Sequence, residues 1–211
     1  MKKYPFAALL LLPLLAACHQ NSYKITGTTE GLSEGDTLYL LKDINTGLPS
    51  DTLVVREGGF SCKGTVDSAA IALLYAQKKP ETSTTLLLEP GTIKVHLTDD
   101  PTKTRIGGTD ANEALQEANL IAYMYGEKMK EIVQTFSTDP VSTQSGLIAK
   151  AQLERLKSDM THKILDIAEQ NIDNEFGFLI IAHLDDDDST IVAKRNLLKE
   201  KMPEAFRKRM E

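Results

Sequence analysis

The chain has 211 residues, 41% of them hydrophobic, and 24 Lys and Arg against 30 Asp and Glu give it a formal charge of −6. An acidic balance disfavours nucleic acid and anionic bilayer surfaces as ligands, because both reward clustered Lys and Arg. The length suffices for one large domain or two small ones without a disulfide staple, and only two cysteines are present, Cys18 and Cys62.

The chain opens with Lys2 and Lys3, an apolar stretch from Phe6, and the run Leu14-Leu15-Ala16-Ala17-Cys18. A cationic start, a short apolar segment and small residues before a cysteine predict a lipoprotein signal peptide over residues 1–17, with cleavage and lipidation at Cys18. An uncleaved span is disfavoured, since crossing the hydrocarbon core takes roughly 20 apolar residues. Without Lys2 and Lys3 the formal charge becomes about −8. Residues 18–22 form a lipidated tether. Its segment His19–Ser22 spans on the order of 15 Å when extended, so the folded body is expected close to the headgroups. More than one acyl chain makes such attachment effectively stable. His19 is not the aspartate that retains many lipoproteins in the inner membrane of enteric bacteria, and no acidic cluster follows Cys18. The expected location is the outer membrane, facing the periplasm.

Residues 23–108 read as a β-domain, with Gly and Asp punctuating short β-branched and aliphatic runs. The runs are Tyr23–Thr28, Thr37–Lys42, Thr52–Arg56, Phe60–Gly64, Ala70–Ala76, Thr84–Leu88 and Thr92–Thr98. About seven strands at this spacing predict an antiparallel β-sandwich or small barrel. Glu57-Gly58-Gly59 and Glu89-Pro90-Gly91 are expected as hairpin turns. Alternation puts Ile93, Val95 and Leu97 on one face and Lys94, His96 and Thr98 on the other, so His96 is expected to be solvated.

After Gly107-Gly108 the period changes from two to about 3.6, and residues 109–211 read as a helical module. Asp110 and Glu113 suggest a capping box. The apolar stripe Ala111, Leu115, Ala118, Ala122, Tyr125, Met129, Ile132 and Phe136 predicts one long helix, and Ile148, Leu153, Leu156, Met160, Ile164, Ile167 and Ile172 predict a second, paired antiparallel with the first. Phe176–Leu184 is apolar nearly all round and is expected to be buried. Thr190–Met202 is amphipathic, and Pro203 starts a short basic tail. The fold class is thus α+β, a sandwich followed by a long helix pair.

Six pieces of the β-domain occur in a recognisable order: Tyr23-Lys24-Ile25-Thr26-Gly27, Asp36-Thr37-Leu38-Tyr39-Leu40, Asp51-Thr52-Leu53-Val54-Val55, Glu57-Gly58-Gly59-Phe60, Leu88-Glu89-Pro90-Gly91 and Gly108-Thr109-Asp110-Ala111-Asn112. Together they resemble the domain of unknown function 4369, common at the N-terminus of exported lipoproteins in Bacteroidota. In that family the β-domain is often followed by helices and a thioredoxin-like domain, which implies a link to thiol redox chemistry or cytochrome maturation. The sequence ends at Glu211 and contains no Cys-x-x-Cys, so the redox activity itself is not carried over.

Cys62 shares its strand face with Phe60, which makes it a small buried core residue first and a reactive thiol second. Asp185-Asp186-Asp187-Asp188 could hold calcium weakly, but an EF-hand register would place Thr190 and Asn196 where glycine and glutamate are required. Capping of the following helix by Asp188 or Ser189 is the stronger expectation. His19, His96, His162 and His183 form no metal set. Glu89 reads as a turn carboxylate before a general base, and no Gly-x-Ser-x-Gly elbow or phosphate loop occurs. No catalytic, cofactor-binding or metal residue is therefore expected. The sequence reading is a membrane-anchored, non-catalytic binding module with a possible envelope protein partner. The alternatives are an accessory to thiol redox or cytochrome maturation enzymes, or an envelope hydrolase with unrecognised carboxylates.

Overall fold

The structure is a computed structural model describing residues 21–43, 46–137 and 143–210. Cys18 and His19 lie outside the described residues. Among those described, eight strands precede five helices. The strands are β1 (Ser22–Thr29), β2 (Thr37–Leu41), β3 (Asp51–Val54), β4 (Gly59–Thr65), β5 (Ala70–Ala76), β6 (Lys79–Leu88), β7 (Gly91–Leu97) and β8 (Arg105–Gly107). They form two four-stranded sheets, ordered β4-β1-β7-β8 and β3-β2-β5-β6, which face each other without closing into a barrel.

Alternation explains why the seven longer strands form where the sequence places them. Ile25, Leu38, Leu40, Leu53, Leu74, Leu86, Ile93 and Leu97 all point between the sheets and are almost fully buried. Three details differ from expectation. First, β8 is an additional strand, too short to announce itself, with Ile106 as its single buried residue. Second, β6 begins five residues early, at Lys79, because an edge strand tolerates Pro80 near its start. Third, β1 and β7 run parallel whereas the other pairings are antiparallel. No hairpin joins β1 to β7, so nothing forces them to run in opposite senses.

The two glycine turns cross between sheets. Glu57 and Gly58 have φ of 52° and 70°, the geometry of a two-residue type I′ turn. Arg56 and Gly59 exchange both backbone hydrogen bonds across it. The flanking strands then separate, β3 into one sheet and β4 into the other. Glu89-Pro90-Gly91, in contrast, is not a hairpin turn, since it carries the chain from β6 in one sheet to β7 in the other without such a bridge. Thr98 also departs from its expected solvent face: it is 3% exposed and bonded to Thr104 and Asp100 in the loop after β7.

The helices are α1 (Asp110–Ser137), α2 (Thr143–Gln170), α3 (Glu175–His183), α4 (Ser189–Lys201) and α5 (Glu204–Lys208). α1 and α2 each have 28 residues, or about 42 Å at 1.5 Å per residue. Only five residues separate them, a connection spanning roughly 18 Å at most, so the two packed helices must run antiparallel. The first helix is capped one residue earlier than the sequence suggested. The Thr109 carbonyl accepts from the Glu113 amide, and its Oγ1 accepts from the Asn112 amide at 3.3 Å.

One apolar cluster runs without a break from the space between the sheets to Leu115, Leu165, Phe176, Ile181 and Leu198 in the helices. Burial fades along α1. Ala111, Leu115 and Ala118 are buried, Tyr125, Met129, Ile132 and Phe136 only partly, and Ala122 is exposed. On α2, Ile148 is 50% exposed. The outer parts of α1 and α2 therefore form a two-helix arm that extends beyond the common core. The basic tail is docked: Arg209 pairs with both carboxylate oxygens of Glu175 at 2.7 and 2.9 Å, and its guanidinium lies 3.9 Å from the Phe178 ring.

Candidate functional site

A sandwich of open sheets leaves unpaired backbone groups along its edge strands. On the side where β6 and β8 are the edges, α1 supplies the missing partners from a row of side-chain amides. Asn112, fully buried, accepts the Leu87 amide with Oδ1 and donates Nδ2 to the Leu87 carbonyl, both at 2.9 Å. Its Nδ2 also donates to Thr109 Oγ1, whose own hydroxyl donates to Glu89. Gln116 accepts the Ile106 amide of β8 at 2.7 Å. Asn119 accepts from Thr85 Oγ1 at 2.8 Å and donates to the Thr85 carbonyl at 3.2 Å. The spacing of four and three residues sets these amides on one helix face, which closes this side of the sandwich as a clasp.

Beside the clasp lies a cleft of about 250 Å³ between β6, the loop after β7 and α1. Glu81, Ser83, Thr84, Gln116 and Tyr123 line it, with Leu73 and Leu120. Gln116 uses only its carbonyl oxygen on β8. Its amide nitrogen and the side chains of Glu81, Ser83 and Tyr123 have no hydrogen-bond partner among the described residues. The cleft thus offers donors, an acceptor carboxylate and one aromatic face to a small polar molecule. Sequence reasoning did not find it, because the lining comes from three distant segments.

On the opposite side, β3 and β4 leave a groove lined by Thr52, Val54, Arg56, Phe60 and Ser61. Phe60 fills its floor by lying across Gly27, where a Cβ would come within 2.2 Å of the ring.

The acidic run is organised as a cap. Asp188 accepts from the Thr190 amide at 2.8 Å, from the Thr190 hydroxyl at 2.6 Å and from Ser158 Oγ at 2.8 Å. These bonds, the Thr190 hydroxyl foremost, hold its carboxyl down at about 2. Asp186 accepts the Asp188 amide. Among the described residues, no group of three or more His, Cys, Asp or Glu side chains is placed to hold a metal ion.

Ser158, Asp188, Thr190 and His162 meet here, which the sequence did not indicate. They do not make a nucleophile and base. Ser158 donates to Asp188, and the imidazole contacts the Ser158 backbone carbonyl at 2.9 Å and Thr190 Oγ1 at 3.3 Å. A serine activated for attack would need its hydroxyl on the imidazole. The cluster ties α2 to the start of α4.

The remaining flagged residues are dispersed. His96 is half exposed, with Thr28 at 2.9 Å and Glu30 at 3.5 Å. His183 stands edge-on to Phe178. Glu89 is half-buried, and desolvation is the main cause raising its carboxyl above the ordinary value. Cys62 sits partly buried opposite Ile25 and packs against the core. Burial first, and the nearby Asp51 carboxylate second, push its thiol up to about 11. At pH 8 the native thiol should therefore react with a maleimide or disulfide reagent far more slowly than after unfolding in urea, because the thiolate is the attacking form. Equal rates would show the sulfur to be open and activated.

No helix among the described residues is long and apolar enough to cross a membrane. A search of curated proteins finds no match to the chain. Residues 23–115 match the family described as Domain of unknown function (DUF4369). The match takes in β1 from Tyr23, the whole of the other seven strands, and ends in α1, three residues after Asn112. The chain carries a DUF4369 domain in its N-terminal region, the family its ordered β-strand pieces resemble.

Proposed function

We propose that the protein is a lipid-anchored component of the cell envelope, held through Cys18 on the periplasmic face of the outer membrane, and that it acts by binding and not by turnover. The cleft beside the α1 clasp carries the binding part of this reading. It gathers Gln116 Nε2, the hydroxyls of Ser83 and Tyr123 and the Glu81 carboxylate on a rigid wall, and groups left without internal partners at a concave site are those that orient a ligand. A volume of about 250 Å³ suits a small, hydroxyl-rich neutral molecule such as a single sugar ring. The anchor part rests on Lys2, Lys3 and the Leu14–Cys18 run.

Two measurements test it. The mass of the mature N-terminus from a bacterial host should show acylated Cys18, and Cys18→Ser should leave the membrane fraction. Titration calorimetry of the purified protein against monosaccharides and small polyols should find a ligand whose binding falls at least tenfold in Tyr123→Ala and Ser83→Ala. An unmodified precursor would overturn the anchor. A ligand whose binding is indifferent to both substitutions would remove the cleft from the mechanism.

A further inference from the structure

We propose that the end of the β-sandwich from which the N-terminus emerges rests on the bilayer, with Leu48 and the rim of an apolar groove between β5 and α3 touching lipid of a neutral, zwitterionic surface. The inference rests on the anchored reading above and specifies which part of the body faces the membrane.

Strand register defines this end. Tyr23 pairs with Gly91 at the start of β7, and Ser22 with Thr65 at the end of β4. Ala70 at the start of β5 pairs with Leu88 at the end of β6, and Leu41 at the end of β2 pairs with Leu73. Lys42, just past β2, lies 5.4 Å above the Tyr23 ring. The first strand, the β2–β3 loop and the starts of β5 and β7 therefore share one end. From Asn21 back to Cys18 there are three residues, about 10 Å when extended. An anchor at Cys18 would hold this end against the headgroups.

The same end exposes large apolar side chains to solvent. Leu48, in the β2–β3 loop, is 71% exposed, and Ile71 is 36% exposed. The Asn21 carbonyl accepts the Val66 amide at 2.9 Å. Three residues beyond Val66, Ala69 begins a groove of about 500 Å³ lined by Ile71, Leu179, Ile180 and Leu184, with His183 its one titratable member. The turns at the other end carry exposed Glu34, Glu57, Lys78, Asp99 and Lys103. Asp43, Asp51, Asp67 and Glu89 lie at or near the N-terminal end against Lys42, which pairs with Asp51 at 3.1 Å, and this acidic excess points to a neutral lipid surface in place of an anionic one.

The direction of α1 agrees with this placement. Its cap residue Thr109 touches Glu89, Asn112 in the first turn touches Leu87, and Asn119 two turns further on touches Thr85, so the helix climbs away from the N-terminal end. The two-helix arm, with exposed Leu147 and Ile148, then points away from the bilayer.

The test uses the chain from residue 18 onward, which contains every described residue, with Cys18→Ser and Cys62→Ala. An N-terminal histidine tag on nickel-chelating vesicles of phosphatidylethanolamine and phosphatidylcholine holds the same point of the chain without acylation. An environment-sensitive fluorophore is placed on Leu48→Cys or, as control, on Leu147→Cys. The label at 48 should shift to the blue and lose most of its emission to brominated lipid, and the label at 147 should do neither. An aqueous spectrum at 48, or equal quenching at both positions, overturns the proposed orientation. Because the tag replaces the lipid, this result is independent of whether Cys18 is acylated in cells, which the mass of the mature N-terminus decides.

Discussion

Replacing Asn112 by leucine is expected to cost about 3 kcal/mol of folding stability, although leucine is of similar size and α1 gains a better helix former. Asn112 and Leu87 are both 0% exposed. The substitution removes the Asn112 bonds to the Leu87 amide and carbonyl without admitting water. Each buried group left unpaired costs roughly 1–3 kcal/mol. Urea unfolding should show a lower midpoint with an unchanged slope. Asn119→Ala makes the informative comparison, since Asn119 also bonds to β6 but stands part-exposed beside the cleft, where water can take its place. Its cost should be about 1 kcal/mol. If Asn112→Leu proves as mild, water reaches the β6 edge and the clasp does not seal it.

That clasp also marks how far the sequence could be read. The seven longer strands were legible because each buries one face, and a period of two survives in the order of residues. Their assignment to sheets was not legible. Pro90 and Gly91 look the same in a hairpin as in a crossing between sheets, and only the register of β6 and β7 separates the two. The cap of α4 at Asp188 was readable, because a cap is a contact among neighbours. The cap of α1 was displaced by one residue, since Thr109 and Asp110 are both able caps and the choice is made by Leu87, 25 residues from Asn112. Asn112 did leave a trace, as an amide set among Ala111, Ala114 and Leu115 on the buried side of an apolar helix. A polar residue in such a position requires a buried partner, but the sequence does not name it. The cleft left less, because Ser83, Gln116 and Tyr123 acquire meaning only once the loop after β7 and the β6 edge stand beside the helix.

Two glycine-to-alanine substitutions in helices should move stability in opposite directions. An alanine in a helix interior is ordinarily favoured over glycine by about 1 kcal/mol, through the smaller entropy lost on folding. Gly126 in α1 has nothing within 4 Å of the position a Cβ would occupy, so Gly126→Ala should stabilise by close to that amount. Gly177 in α3 is different. Its Cβ would lie 2.1 Å from the carbonyl oxygen of Asn171 and 3.0 Å from that of Ala168. Both are backbone atoms in the turn that ends α2, where the Asn171 amide bonds to Ile167. No side-chain rotation relieves the contact. The first turn of α3 would have to lift off α2, disturbing the Asn174 cap on the Phe176 and Gly177 amides and the burial of Phe176 and Ile181. Overpacking of this kind costs about 3 kcal/mol, which outweighs the helix gain and should lower the melting temperature by roughly 5–10 °C. Thermal unfolding of the two variants beside the parent decides the matter. Parallel stabilisation of both would mean that α3 sits farther from α2 than the close approach at Gly177 requires, and with it the groove wall formed by Leu179, Ile180 and Leu184.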